Sequence, residues 1–171
     1  MVKRAAWIEA GLLLVRRDGS QRLTIARLCA AMQKTKGSFY HHFTNISAFE
    51  DALLAAWKQA HTLVPMAAAV AEFTVAERRR ALYRAVGKLD LTLEVAIRAW
   101  AVGDARARRA QLDVDATRVA YLASLWGKGK RARACAELEY AAFLGLMGQH
   151  GDAFPKHAHL METLLRALES T

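Results

Sequence analysis

Between Thr35 and His42 the chain crowds six hydrogen-bonding side chains, Thr35, Lys36, Ser38, Tyr40, His41 and His42, around one large apolar residue, Phe39. Hydroxyl, ammonium, phenol and imidazole groups packed this densely suit the phosphate oxygens and donor–acceptor base edges of a nucleic-acid duplex. A helix destined for a protein core would not expose so many donors. Phe39 and Phe43, four residues apart, are the anchor by which a helix here would hold to the rest of a domain.

Such a helix needs a platform. Just upstream, Ile25, Leu28, Cys29 and Met32 fall at i, i+3, i+4 and i+7, one apolar face of a short helix. Thr24 stands before that face, where its hydroxyl can cap the first turn. Further upstream, Lys3 to Arg17 reads as a helix closing at Asp18-Gly19, with Trp7, Gly11, Leu14 and Val15 as its inner stripe. The three helices are expected to share a core of Trp7, Leu14, Ile25, Leu28, Phe39 and Phe43.

Charge follows the same map. The chain of 171 residues carries a net +9, and residues 1–48 hold 8 Lys/Arg against 2 Asp/Glu whereas 49–171 hold 17 against 14. The excess sits with the donor-rich helix, as a polyanion-binding footprint should. With 54% hydrophobic residues, few β-branched ones and two prolines, the composition predicts an all-α protein with a full core. Two cysteines, Cys29 and Cys135, are too few for a disulfide framework and read as small buried hydrophobes. The N-terminal apolar run is interrupted by Glu9 and closed by Arg16 and Arg17, unlike a signal peptide. The expectation is a cytoplasmic protein.

Beyond the donor-rich stretch, Ser47 and Glu50 have the spacing of a capping box opening a fourth helix. Phe49, Leu53, Trp57, Ala60, His61 and Val64 would be its apolar stripe and Pro65 its end. Further helices are expected at roughly 67–88, with a break near Phe73-Thr74, and at 90–103, 105–127, 131–150 and 156–169, the last two separated by the Gly151–Pro155 region. The domain boundary is placed between 1–46 and 47–171. In the last two helices Leu138, Ala142 and Gly145 form a small-residue face, and Leu160, Leu164 and Leu168 a leucine ridge. A second copy of the chain would complete a four-helix bundle with them.

The order Lys36, Gly37, Phe39, Tyr40, His42, Phe43, after a first helix ending at Gly19 and the segment TIARLCAAM, resembles the DNA-binding head of the TetR family of bacterial transcriptional regulators. The resemblance covers residues 7–57. It implies an all-α homodimer with an N-terminal three-helix helix-turn-helix domain and a larger helical ligand-binding and dimerisation domain. The two heads would enter successive major grooves of a palindromic double-stranded operator, and a small-molecule effector would release them, usually to end repression. Carried over by position, Thr24 caps its helix and touches a phosphate, and Lys36 contacts backbone or base edge. Gly37 permits close approach to DNA, Tyr40 places its hydroxyl on a phosphate with His42 beside it, and Thr35, Ser38 and His41 read bases. Where the family has Gly and an aliphatic residue in the turn, this chain has Gln33 and Lys34. Gln33 must then adopt a backbone that glycine takes more easily, and Lys34 becomes a further candidate DNA contact. Asn45 and Ile46 stand where the family often has Ser-Lys.

The effector pocket is expected among the larger residues of the second domain, foremost Trp57, His61, Tyr83, Trp100, Tyr121 and Phe143, with Met66, Phe73, Trp126 and Met147 beside them. That set suits a mostly apolar molecule. An enzyme finds no constellation here. There is no H-E-x-x-H or G-x-S-x-G, GKGKRAR at 127–133 lacks the phosphate-loop frame, and His157-x-His159, near His150, is not a same-face spacing. Neither metal nor cofactor is expected. The alternative reading is a helical adaptor that binds a protein partner, with nonspecific affinity for nucleic acid.

Overall fold

The structure, a computed structural model, describes residues 3–150 and 158–170. Among these residues the regular elements are all helical: α1 (Arg4–Asp18), α2 (Ile25–Met32), α3 (Lys36–Tyr40), α4 (Ile46–Lys58), a π-turn (Gln59–Leu63), α5 (Val64–Val70), α6 (Val75–Val86), α7 (Leu91–Gly103), α8 (Ala105–Trp126), α9 (Lys130–His150) and α10 (Ala158–Glu169). No described helix is long and apolar enough to cross a membrane. The chain divides into two compact units, Met1–Gln59 with Thr92–Leu112, and Ala60–Leu91 with Asp113–Thr171.

The first unit is larger than a three-helix head. Trp7, Leu14, Leu28, Phe39 and Phe43 are buried as expected, but Phe49, Leu53, Leu54 and Trp57 of α4 are buried in the same unit, while Ile25 is only half-buried. Phe39 is the hub, with ring centroids 5.6 Å from Trp7 and Phe49 and 5.4 Å from Phe43. Gly11 is where α1 meets α4: a Cβ there would lie 2.5 Å from Phe49 Cζ and 2.8 Å from Leu53 Cδ1. The compact unit extends to Gln59 and takes in Thr92–Leu112, most of α7 and the start of α8. Trp57 Nε1 donates to the buried Glu94 of α7 at 3.0 Å.

Two local readings change. Ser47 and Glu50 do not form a capping box; Asn45 caps α4, its Oδ1 accepting from Ala48 N at 2.8 Å, and both expected partners instead turn to Arg106. The reciprocal box lies at Thr74 and Glu77, where it opens α6 after the break at 71–74. Pro65 likewise does not end the helical path. It sits in the first turn of α5, preceded by the π-turn, which makes room for a residue without an N–H. The His61 carbonyl, the normal acceptor for an amide at position 65, takes Arg118 Nη2 instead at 3.1 Å. The wide turn also shifts the helical phase, so that His61, Thr62 and Pro65 are buried whereas Ala60 and Val64 face out.

The second unit packs Ala69, Ala81, Leu82, Val119, Leu122, Leu125, Ala136 and Tyr140 into one core, and Leu91, Met147 and Met161 into a smaller one. In the former region lies Glu139, 1% exposed. Arg79 Nη1 reaches both of its oxygens at 2.6 Å, Tyr83 Oη donates at 2.7 Å and Trp126 Nε1 at 2.6 Å, while the Arg79 guanidinium lies 4.6 Å over the Trp126 ring. Burial, then the Glu139 charge, push the Tyr83 phenol far above its ordinary range.

Candidate nucleic-acid interface

The donor-bearing segment is held by its ends. Thr24 Oγ1 accepts from Arg27 N at 3.3 Å and so caps α2. Asp18, at the end of α1, accepts from Arg17 and from Arg27 at 2.6 Å, and fixes the start of α2. The Arg17 hydrogen bond holds the Asp18 carboxyl below the usual carboxylate range. At the other end of α2, Gln33 adopts φ 51° and ψ 46°, the one left-handed non-glycine backbone among the described residues. This conformation reverses the chain, and Lys34 N closes the turn on Cys29 O at 2.9 Å.

Thr35 then caps α3, its Oγ1 accepting from Ser38 N at 3.3 Å. Its hydroxyl is therefore engaged as an acceptor, while the residue itself is exposed. The helix is only five residues long, Lys36–Tyr40, and His41 and His42 lie in the turn after it rather than on it. Phe39 is fully buried and Phe43 nearly so, with the Arg4 guanidinium 4.8 Å over the Phe43 ring. Around that anchor Lys34, Thr35, Lys36, Gly37, Tyr40 and His41 are exposed, and Ser38 and His42 are half-buried. Tyr40 is 53% exposed although its ring packs edge-on to Phe39 at 5.6 Å. A Cβ at Gly37 would meet only Thr35 Oγ1, at an ordinary 3.7 Å. Nothing inside the described protein demands glycine at this helical position, where alanine is favoured.

The other expected sites fall as follows. Trp57 and Trp100 are buried in the first unit, and His61, Tyr83, Tyr121 and Phe143 belong to the second. The indole N–H of Trp57 and the hydroxyl of Tyr83 are bonded to Glu94 and Glu139, and Phe143 stacks on Tyr140 at 6.2 Å. Tyr121 Oη is buried without a hydrogen-bond partner among the described residues, and burial raises its phenol. Phe73 is 95% exposed, in the turn before α6, so it lines no interior.

On α9, Ala134, Leu138, Ala141, Gly145 and Gly148 recur at alternating spacings of four and three, and all are exposed; Ala142 is half-buried. On α10, Leu160 is exposed, whereas Leu164 and Leu168 are half-buried, Leu164 against the smaller core. Of the C-terminal histidines, His150 and His159 lie on α9 and α10; His157 and the Gly151–Pro155 break lie outside the described residues.

Several solved structures share this fold over nearly the whole chain. A candidate transcriptional regulator from Pseudomonas aeruginosa PAO1 has a TM-score of 0.81 at 18% identity, covering 98% of this chain and 90% of its own. Escherichia coli NemR in its reduced form has 0.78 at 20%, covering 98% and 96%. A regulator described as a TetR/AcrR family member has 0.73 at 20%, covering 98% and 94%. No protein-family model matches the sequence, and no curated protein matches it significantly. At these identities the likeness is one of architecture: the chain has the all-α fold of TetR/AcrR-type transcriptional regulators.

Proposed function

We propose that the protein is a cytoplasmic, homodimeric DNA-binding regulator that represses transcription from a palindromic operator and is released by a small molecule bound in its second domain. The observation that carries this reading is α3 itself. Five residues pivot on one buried phenylalanine and turn Lys36, Tyr40 and the cap residue Thr35 to solvent, within a stretch, residues 1–48, that holds 8 Lys/Arg against 2 Asp/Glu. The fold likeness to transcriptional regulators supports it. Affinity would come mostly from neutralising phosphates and selectivity from Thr35, Lys36, Ser38 and His41. Selection from random duplexes by the purified protein tests the reading. Enrichment of an inverted repeat is expected; salt-weak binding with no preferred sequence would favour the adaptor instead.

Replacing Lys36 by Ala and Tyr40 by Phe together should weaken operator binding by about 1–3 kcal/mol and flatten its dependence on log salt. A doubly substituted protein that titrates the duplex like the parent would move the interface elsewhere. Gly37→Ala should have opposite effects on two measurements. The melting temperature rises, because helix propensity gains up to about 1 kcal/mol with no clash, whereas operator affinity falls because the added methyl meets the DNA. Equal affinity would show that the duplex does not approach α3 closely.

For the dimer, the exposed stripe on α9 with Leu160 on α10 is the face that a second copy would cover. The test belongs at Leu138, 55% exposed, rather than at Leu164, which packs inward. Leu138→Arg should yield a folded monomer by light scattering, and an unchanged dimer mass would place the interface on another surface.

A further inference from the structure

The second turn of α4 carries two carboxylates, Glu50 and Asp51, and a third, Asp104, caps α8 close enough to act on Glu50. A single guanidinium gathers the start of the helix. Arg106 Nη1 donates to Glu50 Oε2 at 2.7 Å and to the Ser47 carbonyl at 3.1 Å, Nη2 donates to Ser47 Oγ at 2.9 Å, and Nε lies 3.2 Å from Asp51 Oδ1. The arginine is itself held in place, because Asp104 Oδ1 accepts from the backbone N–H groups of Arg106 and Ala107 at 2.9 and 2.8 Å. Burial raises the Glu50 carboxyl, and Arg106 opposes that rise.

The start of α4 is also the footing of the donor-bearing helix. Phe49, beside Glu50, packs with its ring centroid 5.6 Å from Phe39 and 4.9 Å from Phe43, the two residues that anchor α3 and the turn after it. The other end of α4 is tied separately, through Trp57 to Glu94, which Arg98 also holds at 3.2 Å. All of these groups lie in one compact unit.

We infer that Arg106 is the positioning residue of the DNA-binding face: its fork fixes the first two turns of α4 to the start of α8 and, through Phe49, sets the pitch of α3. The inference rests on the DNA-binding reading above. A planar fork grips four groups at once where an ammonium cannot, so geometry and charge separate by experiment.

The test uses the full chain with Arg106→Lys and Arg106→Gln. Binding is measured by anisotropy to the duplex enriched by the parent and to an unrelated duplex of equal length, at a temperature where the variants keep native circular dichroism. Hydrogen exchange of the amides from Ser38 to Glu50 is followed alongside. Both variants should lose about tenfold in affinity for the enriched duplex. The lysine variant should bind the unrelated duplex with the parent's affinity and salt slope, and exchange in the segment should quicken in both. A lysine variant within about twofold of the parent on the enriched duplex, or one that loses equally on both duplexes, overturns the inference. Should the arginine variants misfold, Asp51→Asn removes one contact at an exposed site: a lower ratio of enriched to unrelated affinity supports the positioning role, and a parental ratio overturns it. A parent that enriches no duplex overturns the DNA-binding reading and this inference with it, whereas a selective parent matched by its lysine variant overturns the inference alone.

Discussion

Replacing Glu139 with leucine should lower the stability of the second unit by about 3–5 kcal/mol, the usual effect of removing one partner from a buried ion pair. The carboxylate is saturated: Arg79 spans both oxygens, and Tyr83 and Trp126 supply two further donors. Without it, a guanidinium whose side chain is 11% exposed is stranded on the Trp126 ring, and a phenol and an indole N–H lose their acceptor. The loss comes from stranded donors more than from a missing attraction, so the double variant Arg79→Met/Glu139→Leu should recover most of it. The remaining deficit, about 1–2 kcal/mol, reflects the two neutral donors. Urea unfolding of the four members of this cycle measures both quantities. A single Glu139→Leu variant within 1 kcal/mol of the parent would contradict the buried, three-donor arrangement, because an exposed pair is worth about that little.

Gly11→Val should destabilise the first unit by about 3 kcal/mol, the upper end for overpacking a dense core. Even the Cβ alone would intrude to 2.5 Å on Phe49, and Phe49 cannot swing away because Phe39 and Phe43 flank its ring. The strain must therefore appear as separation of α1 from α4. A fall in the denaturant midpoint, with a matching loss of duplex binding, is the expected result; a midpoint equal to the parent's would mean that the helices do not cross at this glycine.

Much of the head is legible in the sequence because it is built from local rules. Thr24 caps α2, Gly19 follows α1, and Phe39 and Phe43 are the buried pair of the donor-rich stretch, all signalled within about four residues. What fails is whatever depends on partners distant in the chain. Ser47 and Glu50 have the right spacing for a box, yet Arg106, 59 and 56 residues away, competes for both, while the equally spaced Thr74 and Glu77 have no such rival and close theirs. The Glu139 network draws on residues up to 60 positions away and leaves no periodic trace. Pro65 signals an end, but a wide turn absorbs it and rotates the buried face, which no fixed helical repeat anticipates. The donors expected together at 34–42 are together in the structure, although spread over a turn, a short helix and a second turn.

The brevity of α3 limits how much a single head can discriminate. Five residues rise about 7.5 Å along the helix axis, a little more than two base-pair steps of ~3.4 Å. On the proposed reading, each half of an operator would offer only a handful of positions to direct inspection. Part of the selectivity would then reside in the stiffness and groove width of the intervening DNA, so base changes at untouched central positions should also alter affinity.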